Sequence, residues 1–139
     1  MSYMFAYSAA TTLDLSGFDT IKVTNMSDMF SGSSATIVDL SNFDTSNVTD
    51  RRNLFYSSSA ATLDLSSFNT SNVTDMSGMF AKSKATTLDL SSFDTIKVTD
   101  MNFMFSESEA TTGYARTQTD ADKFNSTSYK PSGLNFIVK

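Results

Sequence analysis

The sequence contains no cysteine, no histidine and no tryptophan, and only one proline and five glycines among 139 residues. Without cysteine, the chain carries no sign of the redox compartment in which it works. Without cysteine and histidine it also lacks the usual soft metal ligands. A fold held together by disulfides or by a zinc site is therefore excluded, and the hydrophobic core has to supply the stability.

Charge is also scarce, since only 18% of the residues are charged. The 15 acidic and 10 basic side chains leave a net charge of −5, which gives no electrostatic footprint for nucleic acid or anionic lipid. No apolar run approaches the roughly 20 residues of a membrane span. Residues 1–5 lack the basic start and apolar core of a signal peptide, so we expect any export signal to lie in sequence outside this chain.

Repetition is what the sequence has in abundance. The word Leu-Asp-Leu-Ser, with Val in place of the first Leu in one copy, begins at residues 13, 38, 63 and 88, at intervals of 25 residues. Each copy is followed by Phe, then Asp or Asn, then Thr. A period of this length is typical of stacked repeats. Because Met4 and Phe5 precede Met29 and Phe30 by one period, we expect an array over residues 1–112 that opens in mid-repeat and holds about four and a half copies.

Within each repeat the hydrophobic period changes. Leu13 and Leu15 flank Asp14, and this alternation predicts a half-buried strand. A turn follows, and apolar residues then recur at a spacing that predicts one stripe of a short helix. In the first copy this stripe consists of Val23, Met26, Met29 and Phe30. A second short strand around residues 20–23 is an alternative for part of the segment.

The predicted fold is an α/β solenoid in which coils of strand, turn and short helix stack to form one parallel β-sheet. The Met and Phe stripe could be a hydrophobic-ligand box, but it recurs in every copy, which favours core packing. After Ala110 the repeat fails, because Gly113-Tyr114-Ala115 stands where Leu-Asp-Leu is due. Residues 113–139 are predicted to form a C-terminal cap, with a short helix starting near Thr119 and a terminal strand over residues 134–138.

The word Leu-Asp-Leu-Ser-Ser-Phe-Asn-Thr-Ser-Asn-Val-Thr-Asp-Met-Ser-Gly-Met-Phe at residues 63–80, and its variant at residues 88–105, resembles the repeat of BspA-type leucine-rich-repeat surface proteins of bacteria. This resemblance implies a leucine-rich-repeat-like solenoid that is secreted or held at the cell surface. It also implies attachment to extracellular or host proteins or glycans. Several repeats of that family carry a cysteine where this chain has Ser33, Ser58 and Ser83, so no disulfide or metal role carries over.

One aspartate of each repeat is expected on the exposed face of the sheet. These candidate ligand-binding residues are Asp14, Asp39, Asp64 and Asp89. Carboxylates about 4.8 Å apart repel by roughly 0.9 kcal/mol per adjacent pair even in water. Flanking hydroxyls and turn amides are one way to offset that charge. A bound ligand or cation is the other, and calcium would suit a site with oxygen ligands alone. A second row occupies turns, where Asp and Asn are favoured, and consists of Asp19, Asp44, Asn69 and Asp94.

One copy departs from the repeat, because Arg51-Arg52 stands where Met-Ser is usual. Arg51 falls on the Met stripe, and we expect its aliphatic stem to cover the core while the guanidinium reaches solvent. A unique contact on a repetitive scaffold should show as a departure from the repeat. Arg51, Arg52 and Tyr56 are therefore a candidate contact site, with repeat drift as the alternative.

Three classes of function follow from these patterns. An enzyme, for example one acting on carbohydrate, is disfavoured because the carboxylates repeat in every copy and no histidine is present. The resemblance to BspA-type proteins, together with the extended polar face, favours a non-catalytic cell-surface interaction or adhesion module without metal or cofactor. We expect it to bind an extracellular or host protein or glycan, with no nucleic acid partner and no membrane insertion. The alternative is a self-assembling structural spacer, a homo-oligomer joined through an N-terminal edge that shows no altered, polar repeat.

Overall fold

A computed structural model describes all 139 residues. Its elements are β1 (Thr12–Leu13), β2 (Ile37–Val38), β3 (Thr87–Leu90), β4 (Thr112–Ala115), α1 (Gln118–Asn125) and β5 (Asn135–Val138). The strands form two parallel sheets, one of β1 and β2 and the other in the order β3, β4, β5. Repeats 1 to 5 denote residues 1–25, 26–50, 51–75, 76–100 and 101–125.

Equivalent positions of successive repeats lie side by side. On the strand side, Leu88 is paired with Gly113, one period later in the sequence. On the other side of each repeat, a row of parallel bridges joins Asp50 to Asp75 and Asp75 to Asp100. The fixed 25-residue period therefore predicted both the parallel direction and the register of these strands.

The expectation of one continuous sheet is wrong in repeat 3. Residues 62–65 form no strand, and no backbone hydrogen bond joins them to repeat 2 or repeat 4. The repeat is held just before this segment, where the Ser59 N–H donates to the Ser33 carbonyl at 3.0 Å. It is held again at the end of the segment, where the Ser92 hydroxyl donates to the Leu65 carbonyl at 2.9 Å. The sheet is thus open locally, while the repeats on either side remain attached.

The short helix expected in each repeat is absent, and consecutive turns take its place. In repeat 2, Asp28 and Gly32 adopt left-handed φ angles of 57° and 63°, which interrupts any helix over residues 26–33. Alternate N–H groups point to the next repeat, and the Phe30 N–H donates to the Leu54 carbonyl at 3.0 Å. A helix of two turns is marginal alone. Bonds to a neighbouring repeat satisfy these N–H groups instead, which explains why the helical spacing gave no helix.

The apolar stripe does lie in the core, where the phenylalanines form a column of parallel rings. Neighbouring ring centroids are 5.6, 5.5, 5.8 and 6.0 Å apart along Phe5, Phe30, Phe55, Phe80 and Phe105. The last four of these residues are at most 1% exposed. Each interior ring therefore packs against rings of the preceding and following repeats, and stacking buries what one repeat could not bury by itself.

The boundary expected between residues 112 and 113 falls inside the sheet, within β4. A Cβ atom on Gly113 would lie 2.5 Å from a ring carbon of Phe136, so glycine is required by the close approach of β5. Phe136 in turn packs against Phe105, with ring centroids 4.9 Å apart. The sequence repeat fails at Gly113 because Phe136 covers the end of the core there.

The helix α1 completes the hydrogen bonds of the last repeat. At an interior junction the Thr70 hydroxyl donates to the Asp94 carbonyl of the next repeat at 3.0 Å. At the last junction the Thr95 hydroxyl and N–H donate instead to Oδ1 of Asp120, at 2.6 and 3.2 Å. The Thr117 hydroxyl donates to the other carboxylate oxygen at 2.6 Å. Asp120, which is 2% exposed, thus replaces the backbone of a further repeat.

Replacing Asp120 with asparagine is expected to destabilise the protein by about 1–3 kcal/mol at neutral pH, since buried donors lose a charged acceptor. Burial raises the pKa of Asp120, but hydrogen bonds from Thr117, Thr95 and Arg116 outweigh burial and leave the pKa lowered. The stabilisation is therefore present above the unfolded pKa of about 3.9 and is lost as pH falls through the lower folded value. Urea unfolding at pH 7 and pH 3 should show the difference between the two proteins shrinking in acid.

Asp122→Asn is the matched control, because Asp122 lies on the same helix and is exposed. It should change stability by less than about 0.5 kcal/mol at either pH. Equal losses in the two variants, or a difference from wild type that does not depend on pH, would contradict the role given to Asp120.

Candidate interaction surface

The aspartates between the strand leucines form a column on the exposed face of the sheets, and each carboxylate binds its own serine. The serine N–H two residues later donates to Oδ1 at 3.0, 2.9, 3.0 and 3.1 Å for Asp14, Asp39, Asp64 and Asp89. In the first and third repeats the serine hydroxyl donates as well, at 2.6 Å. Turn amides and hydroxyls therefore stabilise the negative charge, which is the first of the two ways of offsetting it that the sequence suggested.

These hydrogen bonds keep the column ionised. Bonds from the neighbouring serine lower the pKa of Asp14, Asp39 and Asp64. Repulsion from the two adjacent aspartates raises the pKa of Asp64, but less than the serine bonds lower it. Burial raises the pKa of Asp89, yet hydrogen bonds from Lys139 and the serine outweigh it and leave the pKa lowered. At neutral pH the face consequently presents a row of carboxylates.

A groove of about 730 Å³ crosses this face where the sheet is open. Three members of the column, Asp39, Asp64 and Asp89, line it together with the serines that bind them. Leu63 lies in the groove and is half-buried, whereas the equivalent Leu88 is buried. The backbone N–H and C=O groups of residues 62–64 have no hydrogen-bond partner within the protein. The groove therefore offers carboxylates, hydroxyls and free peptide groups to a partner.

Lys139 supplies the one positive charge among the residues that line the groove. Its ammonium group binds the carboxylate of Asp89 and lies 5.7 Å from the ring centroid of Tyr114. Sequence reasoning did not find this residue. The repeat gave no signal for it, because β5 pairs with β4 at an offset of 23 residues, as between Thr112 and Asn135, and not at the 25-residue period.

Arg51 does not reach solvent, and the expectation that its guanidinium would do so is wrong. The residue is 0% exposed, and its guanidinium carbon lies 4.6 Å from the ring centroid of Phe68. Nη2 donates to the Asn69 carbonyl at 2.7 Å and the Thr45 carbonyl at 3.4 Å, while Nε and Nη1 have no partner. Burial lowers the pKa of Arg51 to about 9. The neighbouring repeats enclose this position, so the side chain has no path outward.

Arg52 and Tyr56, the other members of the predicted contact site, lie at the surface. Arg52 is exposed, with Nη1 3.7 Å from a carboxylate oxygen of Asp50. Tyr56 is half-buried, and the Lys82 ammonium lies 5.9 Å from its ring centroid. Because Arg51 is buried, the three residues do not form one patch for an external partner.

No group of three or more histidine, cysteine, aspartate or glutamate side chains is arranged to hold a metal ion. No helix has the length and apolar character that crossing a membrane requires.

The fold and its surface define a repeat protein with parallel strands in two sheets and one short helix. The model of the family described as "Mycoplasma protein of unknown function, DUF285" matches residues 1–127. The chain therefore belongs to that family. No curated protein and no solved structure matches the sequence.

Proposed function

We propose that the protein is a non-catalytic interaction module that binds an extracellular protein or glycan through the groove on its exposed sheet face. The observation that carries this proposal is the groove itself. It is the place where the carboxylates of Asp39, Asp64 and Asp89 stand beside peptide groups that the protein leaves unpaired. Hydroxyl and amide groups of a partner can bind both kinds of acceptor, and the free N–H groups can donate in return.

In this proposal the whole molecule is a leucine-rich-repeat-like solenoid of the BspA type, and residues 113–139 form its C-terminal cap. Parallel pairing of equivalent residues one period apart, as between Asp50 and Asp75, supports this architecture. The continuous column of phenylalanine rings supports it as well. Stacked repeats provide an extended surface on which several positions contact one large partner.

The proposed location, secreted or at the cell surface, is supported by the resemblance of residues 63–80 to repeats of bacterial surface proteins. A non-catalytic role is supported by the shared direction of the pKa shifts in the groove, because hydrogen bonds leave the pKa of Asp39, Asp64 and Asp89 lowered alike. Catalysis by a pair of acids requires environments that separate their pKa values.

A screen of the protein against arrays of glycans and matrix proteins would identify the partner. The double substitution Asp39→Asn with Asp64→Asn should then weaken binding about tenfold or more, since two charged hydrogen bonds become neutral ones. Asparagine should preserve the turns, because Oδ1 of Asn25 accepts the Ser27 N–H at 2.8 Å in the same type of turn.

The matched control is Asp19→Asn with Asp44→Asn, which removes the same charge from the row of turn residues. This control should bind like the wild type. A screen without any binder, or equal weakening in the two double variants, would argue against binding at the groove.

A second candidate function, a structural spacer that assembles end to end, is favoured by residues 1–7. Tyr3, Met4 and Tyr7 are 60, 47 and 75% exposed. The Met4 carbonyl has no partner, whereas the equivalent Met29 carbonyl accepts the Phe5 N–H at 2.9 Å. Sedimentation velocity at increasing concentration tests this candidate. Growth of the particle would support end-to-end assembly, and a constant monomer would count against it.

A further inference from the structure

We infer that Arg51 holds the sheet open in repeat 3 and thereby shapes the groove, which makes it a positioning residue for the ligand. The expected effect of Arg51 on ligand binding rests on the proposed function. The structural effect of Arg51 does not, and it can be measured without any ligand.

The first observation is that the departure in sequence and the departure in structure fall in the same repeat. Methionine occupies the equivalent position in the four repeats that contain β1, β2, β3 and β4. These residues are Met1, Met26, Met76 and Met101. Repeat 3 has arginine there, and its residues 62–65 form no strand. Repeats with methionine at this position thus contain a paired strand, and the repeat with Arg51 does not.

The second observation is the position of the guanidinium at the junction of repeats 2 and 3. Nη2 contacts the Thr45 carbonyl of repeat 2 and the Asn69 carbonyl of repeat 3. The Thr45 hydroxyl also donates to the Asn69 carbonyl, at 3.3 Å. The equivalent bond of Thr70 is 3.0 Å long. Arg51 therefore shares the Asn69 carbonyl with the Thr45 hydroxyl, and this bond between repeats 2 and 3 is longer than its counterpart between repeats 3 and 4.

The third observation is that the guanidinium fills space beside the ring of Phe68. Its carbon lies 4.6 Å from the ring centroid, and Phe68 follows the open segment by three residues. A close-packed interior transmits the displacement that such a group imposes on its neighbours along the chain. The chain just before Phe68 is where the backbone pairs are missing.

A second departure in repeat 3 offers a rival cause. Ala61 stands where the other repeats have Thr11, Thr36, Thr86 and Thr111. Threonine has the higher β propensity, but the scale spans only about 1 kcal/mol. Moreover, the bonds made at this position, such as Thr36 N–H to Thr11 carbonyl at 3.1 Å, are backbone bonds that alanine can also make. The lost side chain therefore does not account for the open sheet, whereas the guanidinium at the junction does.

Amide hydrogen exchange, followed by NMR in the wild type, Arg51→Met and Ala61→Thr, tests the inference. In Arg51→Met the amides of residues 63–65 should exchange about fivefold or more slowly relative to those of β3, because they enter backbone hydrogen bonds. In Ala61→Thr their exchange relative to β3 should stay as in the wild type.

Unchanged relative exchange in Arg51→Met would overturn the inference, and so would equal protection in Ala61→Thr. Once a groove ligand is known, Arg51→Met should weaken its binding although every residue lining the groove is retained. Exchange is read without ligand, so failure to find a binding partner leaves this test intact.

Discussion

Phe80→Ala should lower the free energy of unfolding by about 3–5 kcal/mol, the range for removing a large aromatic side chain from a core. Phe80 is 0% exposed, and its ring lies between those of Phe55 and Phe105 at centroid distances of 5.8 and 6.0 Å. Since a neighbouring ring limits collapse of the cavity from either side, the upper half of the range is expected. Urea unfolding followed by circular dichroism would measure the loss.

Phe103→Ala is the matched control, because it removes the same kind of ring from a position that is exposed to solvent. Phe103 is 50% exposed and stacks on Tyr129 at a centroid distance of 5.0 Å. Its loss should cost less than about 1.5 kcal/mol, the upper value for such a ring pair. If the two variants lost equal stability, the phenylalanine column could not be the main source of stability at the junctions between repeats.

The strands, their direction and their register could be predicted because they depend on a local pattern that is repeated. Alternation places Leu88 and Leu90 inward, and the fixed period sets each strand beside the equivalent strand one repeat away. The conformation of residues 26–33 could not be predicted in this way. Its N–H groups find partners in the next repeat, and spacing along one segment carries no information about such partners. Aspartate at position 28 favours a left-handed backbone and was the available indication of this turn. The equivalent residue in repeat 5 is Phe103, which has a φ of 58° although phenylalanine does not favour it, so the residue types do not form a consistent pattern.

The candidate site was predicted in part. The exposed column containing Asp39 and Asp64 follows from alternation, and the serine bonds follow from the preference of aspartate for turns. The groove does not follow from alternation, because it exists only where the pairing of strands is interrupted. Arg51 shows why this was missed. The amphipathic character of arginine predicts an exposed guanidinium, but whether an outward path exists depends on the packing of the repeats on both sides.

Arg51→Met should raise the free energy of unfolding by about 1–4 kcal/mol, the range found when well-packed apolar residues replace buried ion pairs. Arg51 has two buried nitrogens without a partner, and no carboxylate balances its charge. Methionine fits this position without exposure in repeat 4, where Met76 is 0% exposed. Urea or thermal unfolding at pH 7 measures the gain.

The pH dependence of this gain separates a buried charge from a simple difference in packing. Burial places the folded pKa of Arg51 at about 9, below its unfolded value, so the unfolded chain binds the proton more tightly. The wild type therefore gains stability as pH rises above about 9, and the advantage of Arg51→Met should be smaller at pH 10 than at pH 7. Arg52→Met removes the same charge from an exposed side chain and should change stability by less than about 0.5 kcal/mol at either pH. A loss of stability in Arg51→Met would mean that its hydrogen bonds to Asn69 and Thr45 outweigh the burial of the charge. The arginine would then strengthen the junction that it is inferred to open.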